Sequence, residues 1–302
     1  PSVSAVMGAY TGNGSWFTGG GHMGFFKQGR IRYRGGLGYG DVDLDYYSVG
    51  GVELNKPISL NTQASSIGQT LSFRLGDLPL FLGPSQRYTN AELSPARPIG
   101  DSLPPGVPPD IGDQLDHLLT SEVTLSALGI DLLWDTRDNV FTPTEGLYYD
   151  LSWLAYRDAL GSDIDYDLFH LEGLNYVRFN PHWRAGLRLA AEVADAEEAL
   201  PPFALPGIDL RGIPAARYQG THVGLIETEV SWDIDKRWSM LGFLGAARAA
   251  NSGSDFGSAP SRINRGLGFR YQIARRYGFH VGIDVARGPE DTVWYIQAGS
   301  AW

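Results

Sequence analysis

Catalysis by this 302-residue chain would have to come from hydroxyl, imidazole or carboxylate groups, because it contains no cysteine. That removes thiol nucleophiles, disulfide scaffolds and cysteine-based zinc sites together. The histidines (His22, His117, His170, His182, His222 and His280) never fall at the HxH or HxxxH spacing that brings two imidazoles to one metal ion. No GxSxG nucleophile elbow occurs, and no serine and histidine pattern marks a hydrolase. Gly19-Gly20-Gly21-His22-Met23-Gly24 fits GxGxxG formally. It lies inside an alternating segment with no helix after it, so a dinucleotide phosphate has nothing to rest on. Asp41, Asp43 and Asp45 alternate along one strand face. Calcium ligation is one reading of them, and a solvated acidic face is the simpler one. The expectation is a non-enzymatic protein without cofactor or metal.

Three polar segments rise above composition. The first is Asp135-Thr136-Arg137-Asp138-Asn139-Val140-Phe141-Thr142-Pro143-Thr144-Glu145-Gly146, which closes one alternating segment and opens the next. Alone it reads as a turn punctuated by Pro and Gly. The second is Leu210-Arg211-Gly212-Ile213, followed by Arg217-Tyr218-Gln219-Gly220, in a long connection. Alone it reads as a surface loop with a solvated arginine. The third is the final Tyr295-Ile296-Gln297-Ala298-Gly299-Ser300-Ala301-Trp302, alternating and ending on an aromatic.

The elements that must position these segments are strands. From Leu225 to Asp235, Ile226, Thr228, Val230, Trp232 and Ile234 oppose Glu227, Glu229, Ser231, Asp233 and Asp235. Successive strand residues point to opposite faces, so this strand has an apolar face and an acidic one. The same period runs through Trp183–Asp195, Gly278–Ala286 and Val293–Trp302. A soluble sandwich also alternates, but its strands centre on about 5–6 residues, whereas most segments here run about 10–13, near the length of a tilted membrane-crossing strand. Trp134, Trp183, Trp238, Trp294 and Trp302 fall near segment ends, where the aromatic girdles of an outer-membrane barrel lie. No apolar run approaches the length of a transmembrane helix. The net charge of −10 with dispersed basic residues argues against a nucleic-acid partner.

The fold expected is therefore all-β: a transmembrane antiparallel barrel of about 14 strands, with 12 or 16 also compatible, as a single outer-membrane domain over 1–302. Strands are placed near 3–11, 16–27, 30–40, 60–76, 79–91, 123–135, 146–157, 164–178, 183–195, 221–235, 238–249, 262–273, 277–287 and 292–302. Joints at 28–29, 77–78, 179–182, 236–237 and 274–276 are tight and expected to be periplasmic, with 136–145 a longer one. Those at 41–59, 92–122, 196–220 and 250–261 are long and expected to be extracellular, with a short helix capped by Asp110 after the Pro104–Pro109 stretch. Unpaired amides are costly in lipid, so the first strand is expected to meet the last, as the weakest seam of the barrel. The chain opens directly in a strand, as the mature form of an exported protein would.

The three segments, in this order, resemble the barrel domain of the BamA/TamA superfamily, the bacterial surface antigen family. Its members carry a D-x-R-D-N-x-F-x-P-T-x-G turn, a V/L-R-G-F/Y loop motif, and a last strand with Gly three residues before a terminal aromatic. The resemblance is strong over 123–302 and weaker over 1–122. It implies that the long loop folds into the lumen and that Arg211 pairs with inward carboxylates. Glu229 matches the family's wall glutamate, with Glu227 or Asp284 sharing the contact. It also implies that Gly212 lets the loop backbone approach the wall, and that Asp135, Arg137, Asp138, Asn139, Pro143 and Gly146 form a periplasmic turn. Tyr295, Gly299 and Trp302 would form the C-terminal strand signal. The chain departs from the pattern at Ile213, where relatives have an aromatic, and at Gly245, where some place an aspartate. No POTRA domain is found in the sequence. The implied role is insertion or translocation of polypeptides at the bacterial outer membrane, through the seam between first and last strands. The partners implied are outer-membrane lipid, unfolded outer-membrane clients, and a periplasmic partner or further copies of the chain. The alternative is a passive pore or structural barrel that keeps the fold without assembly activity.

Overall fold

Period-two alternation becomes a single antiparallel sheet of fourteen strands, in sequence order from first to last. The structure, a computed structural model, describes residues 2–49, 52–95, 120, 122–274, 278–300 and 302. The strands are β1 Val3–Tyr10, β2 Trp16–Phe26, β3 Ile31–Val49, β4 Val52–Arg74, β5 Leu80–Pro95, β6 Glu122–Asp135 and β7 Gly146–Tyr156. The second half comprises β8 Tyr166–Asn180, β9 Trp183–Ala196, β10 His222–Asp233, β11 Trp238–Ala250, β12 Arg262–Ala274, β13 Phe279–Arg287 and β14 Thr292–Ala298. The Pro104–Pro109 stretch, the helix expected at Asp110, and His117 lie outside the described residues.

Alternation sorts the two faces. On β10, Ile226, Val230 and Trp232 are exposed, while Glu227 and Ser231 between them are buried. On β13, Ile283 and Val285 are exposed and Asp284 and Ala286 fully buried. On these two strands the sheet wears apolar residues outward and carboxylates inward, the reverse of a soluble sandwich. Side chains bridge its interior: Arg34 of β3 reaches Asp131 of β6 and Asp150 of β7. The β6–β7 turn meets β13 through Phe141 and Phe279, whose rings pack edge to face at 5.8 Å.

The long connection after β9 folds into this interior. Leu200, Ile208, Leu210 and Ile213 are all buried. Leu200 packs with Leu125, Tyr156 and Leu168 of the wall, and Ile208, Leu210 and Ile213 pack with Val223 and Ala247. Ile213 therefore keeps an apolar contact without the aromatic ring. Phe203 also touches a cluster of Tyr46, Ile58, Leu60 and Leu93 on β3, β4 and β5.

Two expectations need correction. The 41–59 segment is a strand hairpin: β3 and β4 stay in register through Tyr46↔Ile58 and close at Val49↔Val52. Alternation explains this, since Leu44 and Tyr46 continue the inward apolar row while Asn61 donates to Asp41 and Asp43 on the outer face. The last strand stops at Ala298 rather than Trp302, because Gly299, at φ +89°, turns the chain inward. The ladder runs from β1 to β14 as the expected barrel requires, and no register between its two ends is seen among the described residues.

Leu60 is fully buried in the Tyr46–Leu93 cluster. Leu60→Ala is expected to lower stability by about 2–5 kcal/mol, read as a shifted urea midpoint at unchanged slope.

Candidate functional site

The interior is built around a guanidinium. Leu210 and Ile213 anchor the loop by apolar burial, and a Gly212 φ of +87° turns Arg211 toward the wall. Arg211 Nε donates to Glu227 Oε1 at 3.3 Å, and its Nη1 donates to Glu229 Oε2 at 3.1 Å and Asp284 Oδ2 at 3.0 Å. All three implied partners therefore meet it. Its Nη2 is buried without a hydrogen-bond partner among the described residues, and the guanidinium lies over the Phe243 ring, 3.5 Å from its centroid. A side chain on Gly212 would strike Gly288, so the loop backbone sits directly against the β13–β14 hairpin.

The carboxylates are themselves held. Asn264, fully buried, donates through Nδ2 to both Glu227 Oε1 and the Arg211 carbonyl, each at 2.9 Å. Arg270 grips Asp284 with both terminal nitrogens, one of them at 2.9 Å from Oδ2. Such charge-assisted, forked contacts suit a desolvated interior. Asn264, Arg270 and Phe243 are residues that sequence reasoning missed. Their inward positions in alternating strands were the available signal, but which of them meet depends on register across three strands.

The C-terminal segment enters the same cluster. Tyr295 Oη on β14 accepts the Gly212 N–H at 2.8 Å. After the turn at Gly299, Trp302 Nε1 donates to Glu227 Oε2 at 2.6 Å. The Trp302 carbonyl accepts from Tyr176 at 3.2 Å, and its ring fills the space left beside Gly186. Trp302 is thus an interior residue, not part of an outer aromatic girdle.

The Asp135–Gly146 turn has a separate internal logic. Asp135 accepts from Arg32 of β3 at 2.7 Å and from Arg137 at 3.0 Å, and Arg137 stacks on Tyr148 at 4.0 Å. Asp138 accepts from Thr144 Oγ1 at 2.7 Å and from the Thr144 and Glu145 amides. Asn139 Oδ1 accepts the Phe141 and Thr142 amides at 2.7 and 3.1 Å. A side chain at Gly146 would strike the Thr136 carbonyl. Pro143 is buried beside Trp302 and Tyr176, and the Phe141 carbonyl accepts the Ser300 N–H at 2.8 Å. The turn and the C-terminal segment, far apart in sequence, therefore touch.

A second buried cluster escaped sequence reasoning. Arg34 donates to Asp150 at 2.5 Å, Asp131 at 2.8 Å and Tyr148 at 2.7 Å. It borders a cavity of about 980 Å³ between the β6–β7 turn and the inner faces of β1 to β8. Among the described residues no group of three or more His, Asp or Glu could hold a metal ion. The Asp41, Asp43 and Asp45 row engages Asn61, Gln63 and Ser59 instead.

The fourteen-stranded antiparallel sheet, in sequence order throughout, is the fold of a BamA-type barrel. Its likeness to solved structures says the same. The chain is similar to the crystal structure of BamA from Haemophilus ducreyi lacking POTRA domains 1–3, with a TM-score of 0.58 and 14% identity over 98% of this chain and 67% of that one. No protein-family model matches the sequence, and no curated protein matches it. At that identity the likeness establishes the fold.

Removing one partner of a buried ionic cluster leaves the others uncompensated. Arg211→Ala is expected to cost about 3–5 kcal/mol, read by thermal unfolding. In the turn, partial burial opposes ionisation of Asp138, but the Thr144 hydroxyl and the Thr144 and Glu145 amides together hold its carboxyl below the ordinary 3.8. A depressed carboxylate stabilises above its unfolded value and loses that contribution as pH falls through the folded one. Amide protection at Thr144 and Glu145 is therefore expected to fall only below about pH 3.8, and to be low at every pH in Asp138→Asn.

Proposed function

We propose that this protein is a non-enzymatic integral barrel of the bacterial outer membrane that inserts or translocates polypeptides through the seam between β1 and β14. The observation that carries this reading is the seam: among the described residues no register joins β1 to β14, and β14 leaves the sheet after Ala298, with Gly299, Ser300 and Trp302 bonded toward the interior. An unpaired strand edge offers backbone donors and acceptors to another chain, and an incoming strand of an unfolded outer-membrane protein would satisfy them. The outward apolar band supports the membrane location, since lipid contact is what such a face suits. Arg211 would set the resting position of the gate, because its loop holds β14 through the Gly212–Tyr295 contact.

The test follows insertion of a urea-unfolded barrel into liposomes that hold the protein, an Arg211→Ala variant, or nothing. Acceleration by the wild type and its loss in the variant are expected. A disulfide joining β1 to β14, unambiguous in a chain without cysteine, is expected to abolish the acceleration, and retained activity would remove the gate. Wild-type rates equal to those of empty liposomes would favour a passive pore or structural barrel, in which Arg211→Ala would raise conductance.

A further inference from the structure

The outer face of β11 to β14 carries a row of residues that the proposed gate does not use. In register it runs Leu244, Arg265, Arg287, Thr292. Asn264 and Asp284 are fully buried, whereas Ile263, Leu267 and Val285 are exposed together with both arginines. The two arginines therefore stand on the outer face as direct register partners. Arg265 makes no hydrogen bond or ion pair among the described residues. Arg287 has one polar contact, from Nη1 to Thr292 Oγ1 at 3.3 Å. Two carboxylates of the neighbouring segments are engaged elsewhere: Glu290 is held by Arg217 and Tyr218, and Asp255 accepts from the Ser252 hydroxyl. Asp291, in the β13–β14 hairpin, is exposed and forms no ion pair among the described residues.

Like charges directly opposite in a ladder repel, and a charge on the lipid face of a barrel costs more the nearer it lies to the bilayer centre. Among the described residues Arg265 has no polar partner to offset either cost, and Arg287 has only the Thr292 hydroxyl. An external anion would. On the side toward the tight turns, the next row is Leu267, Val285 and Trp294, all exposed and apolar. Guanidinium forks above a hydrocarbon-facing row match a phosphate above acyl chains, since each fork can present two donors to phosphate oxygens. We propose that Arg265 and Arg287 form an outward-facing site for the phosphate of an anionic lipid headgroup, beside the edge strand β14. This rests on the membrane reading above.

Trp294, 66% exposed in the adjoining row, is the reporter. The full chain is folded into phosphatidylcholine vesicles containing a minor share of phosphatidic acid, with bromine on the acyl chains of one lipid or the other. The Trp294 signal is the difference between the protein and a Trp294→Phe variant. Brominated phosphatidic acid is expected to quench it roughly tenfold more effectively per lipid than brominated phosphatidylcholine. Arg265→Gln with Arg287→Gln is expected to abolish that preference at an equal or higher melting temperature, because a like-charge pair has been relieved. An unchanged preference in the double variant would overturn the site. Displacement by inorganic phosphate, at matched ionic strength, would overturn the lipid assignment. Failure of the wild type to fold into neutral vesicles would instead defeat the membrane reading, and this site with it.

Discussion

A charge withdrawn from water must be met by opposite charge and by hydrogen bonds, or the fold does not hold it. In this barrel that constraint bears hardest on Arg211. It draws in Glu227 and Glu229 from β10 and Asp284 from β13. Their own needs recruit Asn264 and Arg270 from β12. The loop, three wall strands and, through Tyr295, the edge strand β14 are thus tied to one planar cation. The apolar residues on either side of Arg211 supply burial, and the cluster supplies direction: burial alone would leave the loop free to rotate, while a forked cation among three carboxylates does not.

The inturned C-terminal segment obeys the same accounting of polar groups. A strand that leaves its sheet abandons ladder hydrogen bonds, and each freed group needs another partner. Here the Gly299 amide finds the His280 carbonyl at 2.7 Å and the Ser300 amide finds Phe141 at 2.8 Å. Trp302 is satisfied at its indole by Glu227 and at its carbonyl by Tyr176. The detour is therefore a second bonded arrangement rather than a frayed end. Glu227 is shared by loop and C-terminal segment, one oxygen facing each, so a shift in either alters the environment of the other.

Much of this was legible in the sequence, for physical reasons. Period two is enforced along every strand, so the faces of β10 and β13 could be read residue by residue; the inward carboxylates of Arg211 followed only from the family resemblance, because the loop by itself reads as a surface segment with a solvated arginine. What could not be read depends on register or on a reversal of the chain. Phe243 and Asn264 reach Arg211 only because β11 and β12 pair at Phe243↔Gly266 and Gly245↔Asn264. Trp302 alternates in phase with Trp294, so alternation placed it outside; one positive φ at Gly299 sent it in. The 41–59 hairpin was read as a loop because local polarity resembles one, whereas a long paired hairpin tolerates polar residues on both strands wherever its outer face is wet.

These distinctions bear on why likeness in shape survives at 14% identity while no family model matches the sequence. A barrel wall asks for an alternation of polarity, not for particular residues, so most outward positions exchange freely among Leu, Ile, Val and aromatics. In this chain geometry leaves least room for substitution at the arginine among its carboxylates, at the glycine pressed against Gly288, and at the aspartate that accepts from three groups in one turn. Those positions are few and lie far apart along the chain. The same scarcity argues that Arg265 and Arg287 are more than drift. On a face where almost any apolar residue would serve, two opposed and uncompensated cations are the choice that the wall itself does not require.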